Sequence, residues 1–99
     1  MSNIGRHERR QALIADLERL ADGWKPDAEK LNASPLLDQW SIVDYPGTTD
    51  LAAEGIVTGH PYLPDGPVVT SPIHAMDYPA RWLRTQGRFY RLGRRKFAK

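Results

Sequence analysis

The N-terminal third of the chain carries apolar residues at helical spacing. One stripe follows the i, i+4, i+7, i+11 pattern typical of an amphipathic helix, and it consists of Leu13, Leu17, Leu20 and Trp24. Gly23 stands where a glycine commonly ends a helix in the left-handed conformation. Pro26 favours the first position of a second, shorter helix that would end near Asn32. The pattern therefore predicts a helical region over residues 6–32, with one helix or two.

Short β-type runs replace the helical pattern from about residue 33 onwards. They cover residues 40–44, 55–59, 68–71 with a short apolar continuation at 73–76, 80–85 and 88–92, and prolines and glycines separate most of them. Turn chemistry is clearest at residues 63–66, Leu-Pro-Asp-Gly, and at Gln86 and Gly87 inside a predicted hairpin. A small antiparallel sheet of four or five short strands would then cover the apolar stripe of the helix.

These elements predict a single α+β domain over residues 1–99. It would comprise a helical segment at 6–32, a β-rich segment at 40–93 and a loose basic tail at 94–99. A curled barrel with the helix as a plug is the alternative arrangement. A chain of 99 residues buries only a modest core, so a homodimer through the helix stripe is an option beside a monomer.

Four short motifs in the C-terminal half carry a family resemblance. They are Gly-His-Pro-Tyr-Leu-Pro-Asp-Gly at 59–66, Val-Thr-Ser-Pro at 69–72, Arg-Trp-Leu-Arg-Thr at 81–85 and Arg-Phe-Tyr-Arg-Leu-Gly at 88–93. Their order resembles a domain-of-unknown-function family of short proteobacterial proteins, some carried by plasmids and prophages. The resemblance implies no activity, cofactor or catalytic residue. It implies a small bacterial protein tied to mobile elements, where regulators and inhibitors of host defence are common.

Charge is divided sharply along the chain. Residues 78–99 contain eight Lys or Arg and no Asp or Glu, whereas residues 1–77 contain six Lys or Arg and twelve acids. The formal net charge of +2 conceals this division. A basic segment beside an acidic body is typical of a protein that meets a polyanion, although the two parts could also contact each other within or between copies.

Aromatic residues interleave with the basic C-terminal residues, a combination that suits phosphates and unpaired bases. The predicted nucleic-acid or partner-binding residues are Arg81, Trp82, Arg84, Arg88, Tyr90, Arg91, Arg94, Arg95, Lys96 and Lys99. Arg6, Arg9 and Arg10 lie at the start of the predicted helix, where they oppose its dipole at a cost that a polyanion would offset. The alternative is that the aromatics belong to the core and the arginines form a solvated surface.

The sequence gives little indication of a catalytic or metal-binding site. The chain has no Cys, which excludes disulfides and thiolate chemistry. His60, Asp65 and His74 lack metal-ligand spacing, and Thr70 and Ser71 lack the context of a nucleophile elbow. We therefore predict no catalytic, cofactor-binding or metal-binding residue and no enzyme activity.

Two functions remain as hypotheses. The first is a small non-enzymatic binding or regulatory protein that uses the basic hairpin and tail on nucleic acid or a nucleoprotein; neutralising Arg94, Arg95 and Lys96 would then weaken binding. The second is a protein-binding inhibitor or adaptor of phage or mobile-element origin. No apolar run is long enough for a membrane span, and the N-terminus lacks the apolar core of a signal peptide, so we expect a cytoplasmic protein without membrane contact.

Overall fold

The computed structural model describes residues 4–97, and within them two helices precede six strands. The helices are α1 (Ile4–Ala21) and α2 (Ala28–Asn32). The strands are β1 (Leu36–Asp44), β2 (Leu51–Thr58), β3 (Gly66–Val69), β4 (Ile73–Asp77), β5 (Trp82–Thr85) and β6 (Phe89–Leu92). The α+β fold predicted from the sequence is confirmed, including the long and the short N-terminal helix.

Local residues set the boundary between the two helices. α1 ends at Ala21, and Gly23 follows with a φ of 96°, a left-handed conformation that glycine adopts without a Cβ clash. Asp27 caps α2, because its side chain accepts a hydrogen bond from the Lys30 N–H at 2.8 Å. This cap places the start of α2 two residues beyond Pro26. Within residues 4–97, no helix is long and apolar enough to cross a membrane.

The six strands form one mixed sheet made of two antiparallel units. The strand order is β3-β2-β1-β6-β5-β4. One unit contains β3, β2 and β1, the other contains β6, β5 and β4, and neighbours within each unit are antiparallel. β1 and β6 join the two units and run parallel, with Leu36 opposite Arg91 and Leu37 opposite Leu92. The sheet thus has six strands and one parallel pair, where the sequence predicts four or five antiparallel strands. The parallel pair joins segments far apart in sequence, so no hairpin signal indicates it.

Curling brings the two edges of the sheet towards each other. β3 and β4 lie at opposite edges, yet only Thr70, Ser71 and Pro72 connect them. Thr70 fixes this connection to β2: its N–H donates to the Ala53 carbonyl at 2.8 Å, and its hydroxyl accepts from the Ala53 N–H at 3.0 Å. The Gln86 N–H donates to the Pro72 carbonyl at 2.9 Å. The described strands leave the sheet curled but open, since no ladder joins β3 to β4.

The hydrophobic core lies where the two units of the sheet meet. Its buried members are Leu37, Trp40, Ala53, Val57, Leu83, Tyr90 and Leu92. A bulge in β1 accommodates Trp40, because the register against β2 shifts between Asp38 and Ser41 and Gln39 adopts a φ of 49°. Trp40 is 1% exposed, and its indole N–H donates to the Gly93 carbonyl at 3.1 Å. The bulge therefore connects the core to the end of β6.

α1 lies against the sheet through a contact that is partly ionic. Asp16, which lies off the apolar stripe, is buried and accepts a hydrogen bond from Arg84 Nε at 2.9 Å. Arg84 is only 2% exposed. Burial lowers the pKa of Arg84, and the charge of Asp16 opposes that shift. The apolar stripe supplies further contact through the buried Leu13 and the half-buried Leu17 and Leu20.

The first residues of the predicted tail are held against β1. The Trp40 N–H donates to the Arg94 carbonyl at 3.1 Å, and the Lys96 N–H donates to the Trp40 carbonyl at 2.8 Å. The Arg94 N–H also donates to Asp38 Oδ1 at 2.8 Å. Residues 94–96 are therefore anchored through their backbone, in contrast to the loose tail expected over 94–99. Lys99 lies outside the described residues.

Breaking the buried ion pair on one side should destabilise the fold. Asp16→Ala leaves the Arg84 charge buried without its partner, and we expect the free energy of unfolding to fall by about 3–5 kcal/mol. The double variant Asp16→Leu with Arg84→Met removes both charges and should recover most of that loss. Urea denaturation followed by circular dichroism measures all three proteins. A single variant as stable as the original chain would contradict the prediction.

Candidate functional site

A groove opens beside the end of the sheet where α1 passes the β5–β6 turn. Its volume is about 470 Å³. The N-terminal half of α1 forms one wall, and the β2–β3 loop, the β3–β4 connection and the β5–β6 turn form the others. Segments from both ends of the chain therefore meet at a site of the size that small ligands occupy.

Four arginines line this groove, and no Asp or Glu from the described part of the chain does. Arg6, Arg9 and Arg10 come from α1, where positions three and four apart share a helix face. Arg88 comes from the β5–β6 turn. These arginines destabilise the helix, because like charges lie next to one another and near the positive end of the helix dipole. No acidic residue in the first turn of α1 compensates for them. An anion in the groove would offset that destabilisation.

The β5–β6 turn holds Arg88 through Thr85. The hydroxyl oxygen of Thr85 accepts hydrogen bonds from the N–H groups of Gly87 and Arg88 at 3.2 and 3.3 Å. The Thr85 N–H donates to the Arg88 carbonyl at 2.9 Å. Thr85 is 1% exposed, so the turn is fixed to the buried part of the sheet. The predicted hairpin thus becomes one wall of the groove.

His60 organises the β2–β3 loop on another wall. Its Nδ1 accepts hydrogen bonds from the N–H groups of Tyr62 and Leu63 at 3.0 and 3.2 Å. A neutral ring with an accepting Nδ1 carries its proton on Nε2. Burial, and then the positive charge of Arg88, lower the pKa of His60 below its usual value. His60 is therefore neutral at pH 7 and serves as an acceptor that shapes the loop.

Asp65 and His74, the other candidates for metal binding, do not line the groove. Asp65 Oδ1 accepts a hydrogen bond from the Gly59 N–H at 3.1 Å, which closes the same loop. His74 is exposed on β4. No cluster of three His, Asp or Glu with the geometry to hold a metal ion occurs within residues 4–97.

Two tyrosines lie beside His60: Tyr90 lines the groove, whereas Tyr62 belongs to the β2–β3 loop and is not among the lining residues. Tyr90 is 5% exposed, and its ring centroid lies 6.2 Å from that of His60. Burial raises the pKa of the Tyr90 phenol, although Arg88 opposes the shift. Tyr62 is 80% exposed, and the Arg88 guanidinium lies 5.3 Å from its ring centroid. The groove therefore combines a buried phenol and a neutral imidazole with positive charge, and the exposed Tyr62 ring lies beside one of its arginines.

The structure distributes the ten predicted binding residues over several surroundings. Arg88 and Tyr90 lie in the groove. Trp82 is 3% exposed and Arg84 is 2% exposed, and both pack near Phe89. The ring centroids of Trp82 and Phe89 are 5.5 Å apart, and the Arg84 guanidinium lies 5.4 Å from the Phe89 ring centroid. Trp82 and Arg84 are thus buried in the packing around Phe89, and neither is available at the surface for a ligand.

The remaining predicted residues lie away from the groove. Arg94 is 3.9 Å from Asp38, and the Arg95 guanidinium lies 5.5 Å from the Trp40 ring centroid. The hydrogen bond from the Arg94 N–H is the main reason that the pKa of Asp38 is lowered. Four of the predicted residues are exposed: Arg81, Arg94, Arg95 and Lys96. Arg91 is half-buried, and Lys99 is outside the described residues.

Several groove residues carried only a weak signal in the sequence. Arg6, Arg9 and Arg10 stood out as an electrostatic cost at a helix start, and this cost was the one pointer to a binding role. Ser71 and His60 reach the groove only because the sheet curls and the β3–β4 connection is short. No spacing in the sequence brings these residues together.

A family of unknown function (DUF6634) matches residues 10–98. The chain belongs to this family. The DUF6634 match extends the resemblance seen in the motifs at 59–93 to most of α1, all of α2 and the whole sheet, and it carries no activity. Searches of curated proteins and of solved structures found no significant match.

Stability should depend on pH through His60. The pKa of His60 in the fold lies below the unfolded value of 6.5, so the unfolded chain binds more protons between the two values. The contribution of His60 to the free energy of unfolding should therefore be fully present above about pH 6.5. It should decrease as the pH drops through the folded pKa.

A matched variant isolates this contribution. His60→Asn keeps a side-chain oxygen that can accept from the loop N–H groups but does not titrate. We expect it to lose less stability than the original chain between about pH 7.5 and pH 5, measured by urea denaturation at both values. The same pH dependence in both proteins would show that His60 makes no such contribution.

Proposed function

We propose that this protein is a small binding protein, without enzyme activity, that holds the phosphate backbone of a nucleic acid in the arginine-lined groove. The observation that carries the proposal is the convergence of Arg6, Arg9, Arg10 and Arg88 on one groove that no described acidic residue lines. Arginine presents planar donors that match phosphate oxygens and can bind them in pairs. Several such groups in one concave site suit a ligand with successive phosphates.

Within residues 4–97, the groove arginines take part in none of the ion pairs that occupy other basic residues. Among the described residues, the ion pairs use Arg19, Lys25, Arg84 and Arg94, and none of these four lines the groove. A solvated surface would be expected to spread its charge or to balance it with acids. Clustered, unbalanced arginines in a concavity raise the local potential and attract polyanions.

Binding rather than catalysis fits the hydrogen bonds around the groove. The Nδ1 of His60 is occupied by two backbone N–H groups, and the hydroxyls of Thr70 and Thr85 are each engaged with the backbone. A general base and a nucleophile would need to face each other at hydrogen-bond distance. The proposal therefore assigns these groups to positioning.

A second candidate function is contact with a protein, as an inhibitor or adaptor. It is favoured by Ile56 and Val69, which are 40% and 51% exposed and line one shallow hollow together with Pro67. Exposed apolar residues grouped in this way are typical of protein-binding surfaces. This surface competes with the groove as the functional site if nucleic acid does not bind.

Two variants with the same change in charge test the groove. Arg9→Gln, Arg10→Gln and Arg88→Gln together remove three positive charges from it; Arg94→Gln, Arg95→Gln and Lys96→Gln remove three from the C-terminal end. Fluorescence anisotropy with labelled DNA and RNA, between about 50 and 200 mM salt, gives the affinity and its salt slope. We expect the groove variant to bind much more weakly, with a salt slope smaller by about 2 for single strands and about 3 for a duplex if each of the three arginines meets one phosphate.

The two variants separate the possible outcomes. A larger loss in the C-terminal variant would move the binding site to residues 94–96 and would contradict the groove. An equal loss in both would indicate a response to net charge alone. No binding by the original chain at either salt concentration would reject the nucleic-acid function and favour a protein partner.

A further inference from the structure

We infer that the groove takes an unpaired nucleotide segment, with a base stacked on Tyr62 and the adjoining phosphates on the groove arginines; this inference rests on the proposed function and narrows its ligand to single strands. The concave shape of the site favours a single strand over a duplex. The cationic side chains face a concavity between α1 and the β5–β6 turn. Reading a duplex in its major groove requires an element that projects from the protein, whereas a single strand can lie within a cleft.

Tyr62 offers an exposed aromatic ring beside a groove arginine. It is 80% exposed, although it is aromatic, and the Arg88 guanidinium lies 5.3 Å from the centre of its ring. An exposed ring beside a groove cation is the arrangement on which unpaired bases stack. Within a duplex the faces of the bases are already covered by their neighbours, so only an unpaired or terminal base can use this ring.

The loop that carries Tyr62 is already held in one conformation. His60 Nδ1 accepts from the N–H groups of Tyr62 and Leu63, and Asp65 accepts from the Gly59 N–H. Pro61 and Pro64 stand on either side of Tyr62 and Leu63, which restricts the backbone further. A loop fixed in this way loses little freedom when a ligand binds, so the ring is a prepared stacking surface.

Arg88 links the Tyr62 ring to the positively charged groove. Arg88 contacts the Tyr62 ring and also lines the groove with Arg6, Arg9 and Arg10. A base on the open side of the Tyr62 ring would therefore have its sugar and phosphate within the part of the site that carries the positive charge. The side chain of His60 connects this ring to the buried Tyr90, with ring centroids 6.1 and 6.2 Å away.

The test compares four ligands of equal length by fluorescence anisotropy at about 50 mM salt. They are a mixed-sequence DNA strand, the same sequence as RNA, the corresponding DNA duplex, and a strand with abasic sugars in place of the nucleosides. We expect the natural strands to bind more tightly than the duplex and the abasic strand. The DNA and RNA strands report whether the sugar 2′-hydroxyl contributes.

Tyr62→Ala tests the ring itself. We expect it to weaken single-strand binding by between about fivefold and about a hundredfold, the range for aromatic residues that stack on bases, with little change in binding of the abasic strand. Tyr62→Phe restores the ring and should restore the affinity. Tyr78→Ala removes a tyrosine that is 51% exposed and whose ring packs on Trp40 instead of lying beside a groove arginine, and it serves as the control.

The outcomes distinguish this inference from the proposed function. If the duplex or the abasic strand binds as tightly as the natural strand, or if Tyr62→Ala has no effect, the stacking inference is overturned while phosphate binding stands. If none of the four ligands binds, the proposed function fails, and the inference fails with it. Thermal unfolding of each variant confirms that the fold is intact.

Discussion

The buried ion pair between Asp16 and Arg84 fixes the helix on the hairpin, and the groove depends on that joint. The apolar contribution of α1 is small, because Leu13 is buried but Leu17 and Leu20 are only half-buried. A buried ion pair contributes little net stability, since desolvation offsets attraction, but its geometry is demanding. Because Asp16 follows Arg6, Arg9 and Arg10 on the same helix, while Arg84 precedes Arg88 on the same hairpin, the pair sets the distance between the two walls of arginines.

The fold redistributes the charge that the sequence segregates. Two residues of the basic end are matched with acids of the body: Arg84 with Asp16, and Arg94 with Asp38. These contacts are the internal pairing between the acidic body and the basic end that the sequence left open. Meanwhile the groove collects arginines from the acidic body and one from the basic end. The potential of the folded surface therefore cannot be obtained by summing charge along the chain.

Local signals predicted the local elements well. The helix stripe, the left-handed Gly23 and the hairpin around Gln86 and Gly87 all depend on residues close in sequence. The parallel pairing of β1 with β6 depends on segments far apart, and the polar residues Asp38 and Gln39 concealed the first half of β1. The burial of Arg84 could not be read from its type, because charged residues are seldom buried without a partner, and that partner lies 68 positions away. The groove was missed for the same reason.

The last of the described strands is a central strand of the sheet. β6 lies between β1 and β5, so the first three strands can form their antiparallel unit long before they have a neighbour on the β1 side. Until residues 89–96 arrive, β1 presents an open edge, and the Trp40 indole lacks the Gly93 carbonyl. Folding during synthesis would therefore pass through a half-sheet with an exposed edge, a form prone to pair with other strands. The β1 edge is covered only when residues 89–96 have been added.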